Sequence, residues 1–553
     1  MFYPNNFPRQ FERPLIEMLF MIEREFRNRV PTDGNKFNRL ILDALKNQSL
    51  HTYFKDLKPS SWWLHFVLLR HETKFPSKFV KQIRPFLIKT KTRSISGIVA
   101  LTLFTKGTGC PFFCVYCPNE PGMPKSYLSD EPAVMRAVRN NFDSYKQTLS
   151  RLIMFYLSNH PISKVEIIIK GGTFSFYEKA YRKRFVKRIF DACNTNIEEL
   201  IKKGNTIKAS AGNLIKAQAI NESASSRIIG INIETRPDYI NAREITFLRT
   251  LGVTHVEIGV QMPNDTIYET IKRGHRVSHV IAATKLLKDA GFKVGYHLMP
   301  NLPGATALKD FELMKKVFEN EAFKPDHLKL YPTTVTPHAT LCEWYKTGKY
   351  VPYPLDKMIV NIIRLKSEVI PPWVRIGRLT RDITTDMMEY KQFAPNLREI
   401  IQKQMHEKKL LCKCIRCREI RGEKVEGKPL LRIIQYEASG GREYFLEYID
   451  EAEHSLGFLR LRIPQPSNAL VYCYTKTSMV RELHVYGQSV PVGEKREEEV
   501  QHKSLGSLLL KKAEELSIKM GFKKIMIISG VGVRKYYRKK GYQLENTYMI
   551  KKL

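Results

Sequence analysis

Three cysteines in the segment KGTGCPFFCVYCPNEP are spaced so that a single loop can hold them around an inorganic cluster. Cys110, Cys114 and Cys117 follow the pattern C-x3-C-x2-C directly after a predicted strand. Three thiolates at this spacing can bind three irons of a [4Fe-4S] cluster and leave the fourth iron without a protein ligand. We therefore predict a cluster whose open iron binds a small molecule. A three-cysteine zinc site is the alternative.

A second cysteine group, in KKLLCKCIRCREIRG, indicates a zinc site. Cys412, Cys414 and Cys417 follow the pattern C-x-C-x2-C, and structural zinc normally takes a fourth ligand. The candidates for that ligand are His406, His338 and Cys342. A second iron-sulfur cluster and free thiols are the alternatives. Nine cysteines in 553 residues are too few for a disulfide scaffold.

The first cysteine group lies in a stretch where short β-branched strands alternate with amphipathic helices. Six such strands fall between about residues 97 and 335, which predicts a parallel sheet with helical crossovers. The fold class is therefore α/β, with a partial (β/α)6 barrel whose chemistry belongs at the carboxyl ends of its strands. Candidates at those ends to bind a nucleoside cofactor are Gly171, Gly172, Glu234 and Gln261.

A different pattern begins at about residue 428, where strands with two-residue alternation, the last of them ALVYCYT at 469–475, precede the helix SLGSLLLKKAEELSIKMG. N–H groups exposed at a helix N-terminus bind pyrophosphate. Gln501, Ser504 and Gly506 resemble the [QR]-x-x-G-x-[GA] pattern of Gcn5-related acetyltransferases, with serine in place of the first glycine. A further strand, a glycine-rich turn and Tyr537 follow. This order predicts a second α/β domain that binds acetyl-CoA.

These patterns divide the chain into four regions. They are a basic helical region over 1–95, the barrel over 96–335, a zinc-binding connector over 336–427 and the acetyltransferase-like domain over 428–553. No apolar run approaches the ~20 residues of a membrane-spanning helix, and the N-terminus lacks signal-peptide character. We expect a cytoplasmic protein without a membrane partner.

The chain is strongly basic, with 91 Lys and Arg against 55 Asp and Glu and a net charge of +36. Such a charge favours a polyanionic partner, so nucleic acid is the first to test. The candidate RNA-binding residues of the N-terminal region are Lys78, Lys81, Arg84, Lys89, Lys91 and Arg93. Connector residues that extend this track are Lys408, Lys409, Lys413, Arg416 and Arg418.

The cysteine loop resembles that of radical S-adenosylmethionine (SAM) enzymes, in which SAM binds the open iron. The segments CVYCPNEPGMPKSYLSDEPAVMRA, SKVEIIIKGGTF, IETRPD, CREIRG, RELHVYG and ISGVGVRKYYRKKGY together resemble the catalytic-subunit family of Elongator, in its single-chain bacterial and archaeal form. The resemblance implies carboxymethylation at C5 of wobble uridine 34 in tRNA. In that reaction a 5'-deoxyadenosyl radical activates the methyl group of acetyl-CoA, the resulting carbon radical adds to uridine, and water hydrolyses the thioester. The implied RNA partner is the anticodon stem-loop, and the electron donor is not specified.

The resemblance also carries residue roles onto this chain. It implies that Cys110, Cys114 and Cys117 hold the cluster, and that Tyr537 lies near the thioester. The acetyl-CoA contacts that it implies are Lys164, Glu482, Leu483, His484, Val485, Leu505, Gly506, Ser507 and Tyr537. For Lys164, this role requires the barrel and the C-terminal domain to abut.

Two other functions are compatible with parts of the sequence. A protein lysine N-acetyltransferase with a structural iron-sulfur cluster would act without a reductant and would keep its activity in Cys114→Ala. A tRNA-binding scaffold would have degenerate catalytic sites, and the intact cysteine, glycine and tyrosine motifs disfavour it.

Overall fold

The computed structural model describes most of the chain. The described residues are 4, 7–55, 57–87, 97–107, 110–203, 212–389, 396–421, 423–464, 477–486 and 505–553. The predicted site residues Lys89, Lys91, Arg93 and Gln501 lie outside the described residues, as does a strand predicted over 469–475. None of the helices in the described ranges has the length and apolar character that a membrane crossing requires.

The N-terminal region is helical, as predicted. Its helices are α1 (Glu12–Asn28), α2 (Gly34–Leu45), α3 (Gln48–Phe54), α4 (Ser61–Arg70) and α5 (Ser77–Ile83). Helix α4 reads SWWLHFVLLR and buries its apolar side chains on most of its circumference, because it lies between α1 and the next domain. In that contact His65 Nδ1 lies 2.8 Å from the Leu157 carbonyl oxygen.

Seven parallel strands form the barrel sheet, and each strand pairs with its neighbour in the chain. The strands are β1 (Ile98–Phe104), β2 (Lys164–Lys170), β3 (Arg227–Thr235), β4 (His255–Gln261), β5 (Lys293–Leu298), β6 (His327–Leu330) and β7 (Arg375–Arg378). The first six are the predicted strands, and the α/β fold class is confirmed. Strand β7 is an addition, because it lies inside the segment predicted to be a connector.

Helices connect these strands and cover the outer face of the sheet. They are α6 (Pro132–Arg139), α7 (Ser144–Leu157), α8 (Lys179–Cys193), α9 (Ile197–Lys203), α10 (Leu214–Asn221), α11 (Ala242–Thr250), α12 (Asp265–Thr270), α13 (Val277–Asp289), α14 (Ala307–Glu319), α15 (Thr340–Lys346) and α16 (Leu355–Arg364). In β2 the residues Val165, Ile167 and Ile169 are buried, whereas the alternate residues Lys164 and Lys170 are not. This alternation turns polar side chains toward the barrel interior.

The C-terminal domain is a second seven-stranded sheet, in the order β13-β14-β12-β11-β10-β9-β8. Its strands are β8 (Leu430–Ala438), β9 (Gly441–Ile449), β10 (Ser455–Pro464), β11 (Thr477–Val485), β12 (Lys524–Ile527), β13 (Gln543–Glu545) and β14 (Tyr548–Lys552). Four further α-helices lie in the described residues that follow the barrel: α17 (Leu397–Glu407), α18 (Ile415–Arg418), α19 (Leu505–Lys519) and α20 (Arg534–Arg538).

Strands β11 and β12 form a parallel pair only over Thr477–Val480 and Lys524–Ile527. Beyond this pairing β11 runs on to Val485 with β10 as its strand partner. Among the described strands, none pairs with the opposite edge of β11 from Arg481 onward. Within the described ranges this edge is a stretch of extended backbone without a strand partner. It lies near the start of α19, where a Cβ added to Gly506 would lie 3.4 Å from Val485.

The two sheets meet at the amino-terminal ends of the barrel strands. A Cβ added to Gly530, in the turn after β12, would lie 1.9 Å from the carbonyl oxygen of Ile229, near the start of β3. Arg481 of β11 bonds Asp326, the residue before β6. The C-terminal domain therefore covers one end of the barrel, and the barrel end that carries the cysteine loop lies opposite.

Candidate functional site

The first cysteine group lies at the carboxyl ends of the barrel strands, as predicted. Cys110 Sγ is 3.8 Å from Thr173 Oγ1, just beyond β2, and Cys114 Sγ accepts from Arg273 Nη1 at 3.5 Å. Backbone hydrogen bonds fix the loop, because Val115 N donates to Ile271 O and its own carbonyl accepts from Leu341 N. Phe113, between the cluster cysteines, is 74% exposed.

The distances between the sulfurs of each cysteine group show whether the group can surround a single metal ion. Around one zinc ion, with Zn–S distances of about 2.3 Å, tetrahedral sulfurs lie about 3.8 Å apart. The sulfurs of Cys110, Cys114 and Cys117 do not all lie within 4.8 Å of one another, whereas those of Cys412, Cys414 and Cys417 do. The first group therefore does not surround a single tetrahedral ion, whereas the second group can hold one.

Gly171 and Gly172 end β2 beside the cysteine loop, in backbone conformations that favour glycine. Gly171 has φ +134°, and a Cβ there would lie 2.0 Å from Thr105 Oγ1. Gly172 has φ +89° and approaches the carbonyl of Lys125. Close packing of β2 against the cysteine loop thus requires this pair. Gln261 ends β4 with φ +65°, and its buried Oε1 has no hydrogen-bond partner among the described residues.

Below the loop, side chains from five successive strands form a set that we call the lumen ring. Its members, in strand order from β2 to β6, are Lys170, Glu234, Glu257, His297 and Lys329. Sequence analysis identified only Glu234 among them. The ring members are mostly buried, which makes their mutual contacts strong.

Each carboxylate of the lumen ring is paired with a lysine. Lys170 Nζ lies 2.6 Å from Glu234 Oε1, and Lys329 Nζ bonds Glu257. His297 Nε2 is 2.8 Å from Glu257 Oε2 and 3.8 Å from Glu234 Oε1, so the histidine lies between the carboxylates. Burial alone would raise the pKa of Glu234, but the charges of Lys170, His297 and Lys329 together outweigh burial and lower the pKa to about 2.

The predicted acetyl-CoA residues lie at the opposite end of the barrel. Glu482 accepts from Lys293 at 3.1 Å and from Arg460 at 2.9 Å, so its side chain faces the amino-terminal ends of the barrel strands. Lys164 begins β2 opposite Arg227 of β3, and a Cβ on Gly532 would lie 2.6 Å from Arg227 Cβ. The two domains abut at this point, as the predicted role of Lys164 requires.

The start of α19 and the tyrosines of α20 complete this second site. Leu505, Gly506 and Ser507 form the first turn of α19. A Cβ on Gly506 would lie 3.3 Å from the hydroxyl oxygen of Tyr536. Tyr537, the predicted residue, is buried in the apolar core of the C-terminal domain. Tyr536 is therefore an additional candidate that sequence analysis missed.

His484 and Leu483 lie on opposite faces of β11. The ring of His484 lies 4.5 Å from that of Tyr486, and burial lowers the pKa of His484 to about 4. Leu483 packs against the core of the C-terminal domain. His484 therefore shares the barrel-facing side with Glu482.

The second cysteine group joins β7 to the C-terminal domain. Ile415 N donates to Val374 O, and the Trp373 ring, just before β7, stacks at 4.0 Å on Tyr436 of β8. The fourth-ligand candidates do not join the sulfur group. Of these, His338 and Cys342 lie in the segment that packs on the first cysteine loop, where His338 O accepts from Asn119 N.

The predicted RNA-binding residues differ in exposure. Lys78, Lys81, Lys408, Lys409 and Lys413 are exposed. Arg84 is half-buried and lies 3.7 Å from Glu72. Two other arginines bind protein groups: Arg416 donates to Gly377 O and Arg418 to Glu447.

Comparison with known proteins agrees with this geometry. The sequence model of the radical SAM superfamily matches residues 104–316, and that of the radical SAM C-terminal domain matches residues 325–407. A tRNA uridine(34) acetyltransferase of Dehalococcoides mccartyi is 42% identical over 473 residues, which cover 84% of this chain and 100% of the relative. This chain belongs to the tRNA uridine(34) acetyltransferase family. It is therefore a radical SAM enzyme and an acyltransferase.

Further relatives extend the same family. A tRNA uridine(34) acetyltransferase of Methanocaldococcus infernus is 37% identical and covers 94% of this chain and 97% of the relative. Human Elongator complex protein 3 is 36% identical over 86% of this chain and 88% of its own length. The solved structure of Methanocaldococcus infernus Elp3, lacking residues 1–46, matches with a TM-score of 0.71 and 37% identity, over 83% of this chain and all of that one. Family membership implies a [4Fe-4S] cluster and SAM.

Proposed function

We propose that this enzyme transfers the acetyl group of acetyl-CoA to C5 of wobble uridine 34 in tRNA and gives 5-carboxymethyluridine. The observation that carries this proposal is the contact of the acetyltransferase-like domain with the amino-terminal ends of the barrel strands. We call this end of the radical SAM barrel its floor. The interior-facing residues of the barrel run from Lys293 at that floor to Lys170 at the cysteine loop. Under this proposal the acetyl-CoA site and the SAM site share the interior of the barrel.

Residues of the cysteine loop would hold the iron-sulfur cluster and SAM. Cys110, Cys114 and Cys117 would supply three thiolates, and their sulfurs are not gathered around a single-ion site. When bound, the cluster and SAM supply a 5'-deoxyadenosyl radical that can remove hydrogen from an unactivated carbon. Gly171 and Gly172 allow close approach of the backbone, and Gln261 offers an unpartnered acceptor to the cofactor.

The free edge of β11 would hold acetyl-CoA. Extended backbone from Glu482 to Val485 offers peptide N–H and C=O groups to a pantetheine chain, and the N-terminus of α19 favours pyrophosphate. Tyr536 and Tyr537 lie on the short helix that follows. Because Glu482 and His484 face the barrel, the acetyl end would point to the barrel floor.

Zinc would be held by Cys412, Cys414 and Cys417, with a structural role. The ion would fix α18 against β7 and thus hold β8 at the barrel edge. The exposed lysines Lys78 and Lys81 would bind the phosphates of the anticodon stem-loop, which hold the RNA in place without reading its sequence.

The alternative function is acetylation of a protein lysine. It requires that a lysine of another protein can reach the acetyl group at β11. In this chain the side that carries Glu482 faces Lys293, Asp326 and other barrel residues. A protein lysine would have to enter through the barrel. This packing favours the tRNA modification.

The decisive experiment is nucleoside mass spectrometry of tRNA incubated with the reconstituted enzyme. The enzyme is loaded with iron and sulfide and given SAM, acetyl-CoA and dithionite. We expect a mass gain of one carboxymethyl group on uridine, dependent on both cofactors. Cys114→Ala should abolish the product, whereas Cys193→Ala, a buried cysteine outside both groups, should retain it. Unmodified uridine from a fully loaded, reducible enzyme would refute the proposal, as would acetyl-lysine formed equally by Cys114→Ala.

A further inference from the structure

The lumen ring places charged and polar groups inside the barrel, beneath the cysteine loop. Lys170, His297 and Lys329 come from β2, β5 and β6, and each retains partial exposure of 11 to 14%. The carboxylates of Glu234 and Glu257 lie between them. The ring is therefore a continuous polar surface rather than a set of separate pairs.

The hydrogen bond to Glu257 determines which nitrogen of His297 is free. A carboxylate accepts hydrogen bonds, so His297 Nε2 carries the proton that it donates to Glu257 at 2.8 Å. The ring nitrogen Nδ1 is then an acceptor, and no described residue donates to it. Burial lowers the pKa of His297 although the bond to Glu257 opposes this shift, which keeps the imidazole neutral.

The two lysines come from strands on the two sides of β5 in the sheet order, and both retain donors that no described residue accepts. An ammonium group has three N–H donors, and one hydrogen bond from each lysine goes to its carboxylate. Asn232 Nδ2 donates to Glu257 at 2.8 Å, whereas its buried Oδ1 has no partner among the described residues. This oxygen is thus an acceptor beside the ring that is available to a ligand.

We propose that the lumen ring recognises the uracil base of the substrate nucleotide. The pairing edge of uracil presents a carbonyl, an N–H and a second carbonyl. Lys170 and Lys329 donate to the two carbonyls, and His297 Nδ1 accepts the N–H. Cytosine replaces one carbonyl by an amino donor and the N–H by an acceptor, so it mismatches both a lysine and the histidine. This proposal rests on the proposed function, since it concerns the base that is modified.

A metal ion is a poorer occupant of the same place. Glu234, Glu257 and His297 are close enough to share a cation. However, the ammonium groups of Lys170 and Lys329 already lie against both carboxylates, and they would repel a divalent ion. The ring therefore suits a neutral ligand with both donors and acceptors.

The test is the binding of anticodon stem-loop RNA to the full, cluster-loaded protein without reductant, so that no turnover occurs. Fluorescence anisotropy compares three RNAs that differ only at position 34, which is uridine, cytidine or 3-methyluridine. We expect uridine to bind about tenfold more tightly than either alternative, because 3-methylation removes the N–H. In Lys329→Met and His297→Phe this preference should fall to near unity.

Lys78→Met is the matched control, since it removes an exposed lysine far from the barrel interior. This variant should weaken the binding of all three RNAs by the same factor and retain the preference for uridine. Thermal melting and cluster absorbance show whether the two ring variants are folded. If both folded variants retain the preference for uridine, and the wild-type enzyme modifies tRNA, the proposal is overturned. Loss of modification in the wild-type enzyme would instead reject the proposed function.

Discussion

Arg481 of β11 and Asp326, the residue before β6, form a two-pronged ion pair across the domain interface. Arg481 Nη1 lies 2.7 Å from Asp326 Oδ2, and Nη2 lies 2.6 Å from Oδ1. Both side chains are fully buried. Arg481 also forms an ion pair with Glu443, and Glu443 in turn pairs with Arg462 and Lys288. The interface therefore contains a buried cluster of charges, in which each charge is stabilised by neighbours of opposite sign.

Arg481→Met should destabilise the protein strongly, because Asp326 loses its main partner and stays buried. We expect a loss of about 3–5 kcal/mol in the free energy of unfolding, measured with urea. Arg442→Met removes the same charge from a half-exposed pair with Glu437. It should cost less than ~1 kcal/mol. Equal effects would contradict the role assigned to the buried cluster.

Acid should weaken the interface. Burial lowers the pKa of His255 to about 3 and that of His484 to about 4, and it also lowers that of His327. Unfolded histidines bind protons near pH 6.5. The stability that comes from keeping these histidines neutral is therefore fully present above this pH. The free energy of unfolding should fall between pH 6.5 and 4, by about 1 kcal/mol per pH unit for each histidine.

Urea unfolding at pH 7, 6 and 5 measures this slope. His484→Gln removes one titrating group and should make the pH dependence shallower. An identical slope in the variant and the wild type would show that His484 is not held neutral in the fold.

Gly530→Ala should disturb domain docking without straining the backbone, because Gly530 has an ordinary φ of −65°. Its new Cβ would lie 1.9 Å from Ile229 O. We expect a loss of about 1–3 kcal/mol together with loss of tRNA modification. Gly34→Ala places its Cβ in open space and is the control. Wild-type stability of Gly530→Ala would contradict the close contact of this turn with β3.

The second cysteine group should bind one metal ion per chain. Cys414→Ser should release it, as measured by elemental mass spectrometry of purified protein, and should lower the melting temperature because α18 loses its tie to β7. Cys193→Ser changes a buried cysteine far from this group and should retain the full metal content. Iron and sulfide in place of zinc at this group would favour the second-cluster alternative.

Local sequence patterns predicted the elements whose signals lie within a few residues. The first six barrel strands and both cysteine groups are of this kind. Strand β7 was missed because RIGR contains a single large apolar residue, Ile376, and therefore shows no apolar pattern. Tyr536 was missed because the rotation of the five-residue helix α20, rather than its sequence, decides which of two adjacent tyrosines reaches Gly506.

The lumen ring was beyond sequence analysis for a different reason. Its members come from five strands separated by long helical crossovers, and each alone looks like an ordinary charged residue in a strand. The register of the sheet places Glu234 opposite Glu257. The pairing of β5 with β6 does the same for His297 and Lys329.

The placement of the C-terminal domain at one end of the barrel has a kinetic consequence. Under the assignments proposed above, the thioester arrives from the floor and the RNA from the mouth, so neither reactant obstructs the entry or departure of the other. Steady-state turnover should then follow a sequential scheme with random order of addition, in which spent coenzyme exchanges while the nucleic acid stays bound.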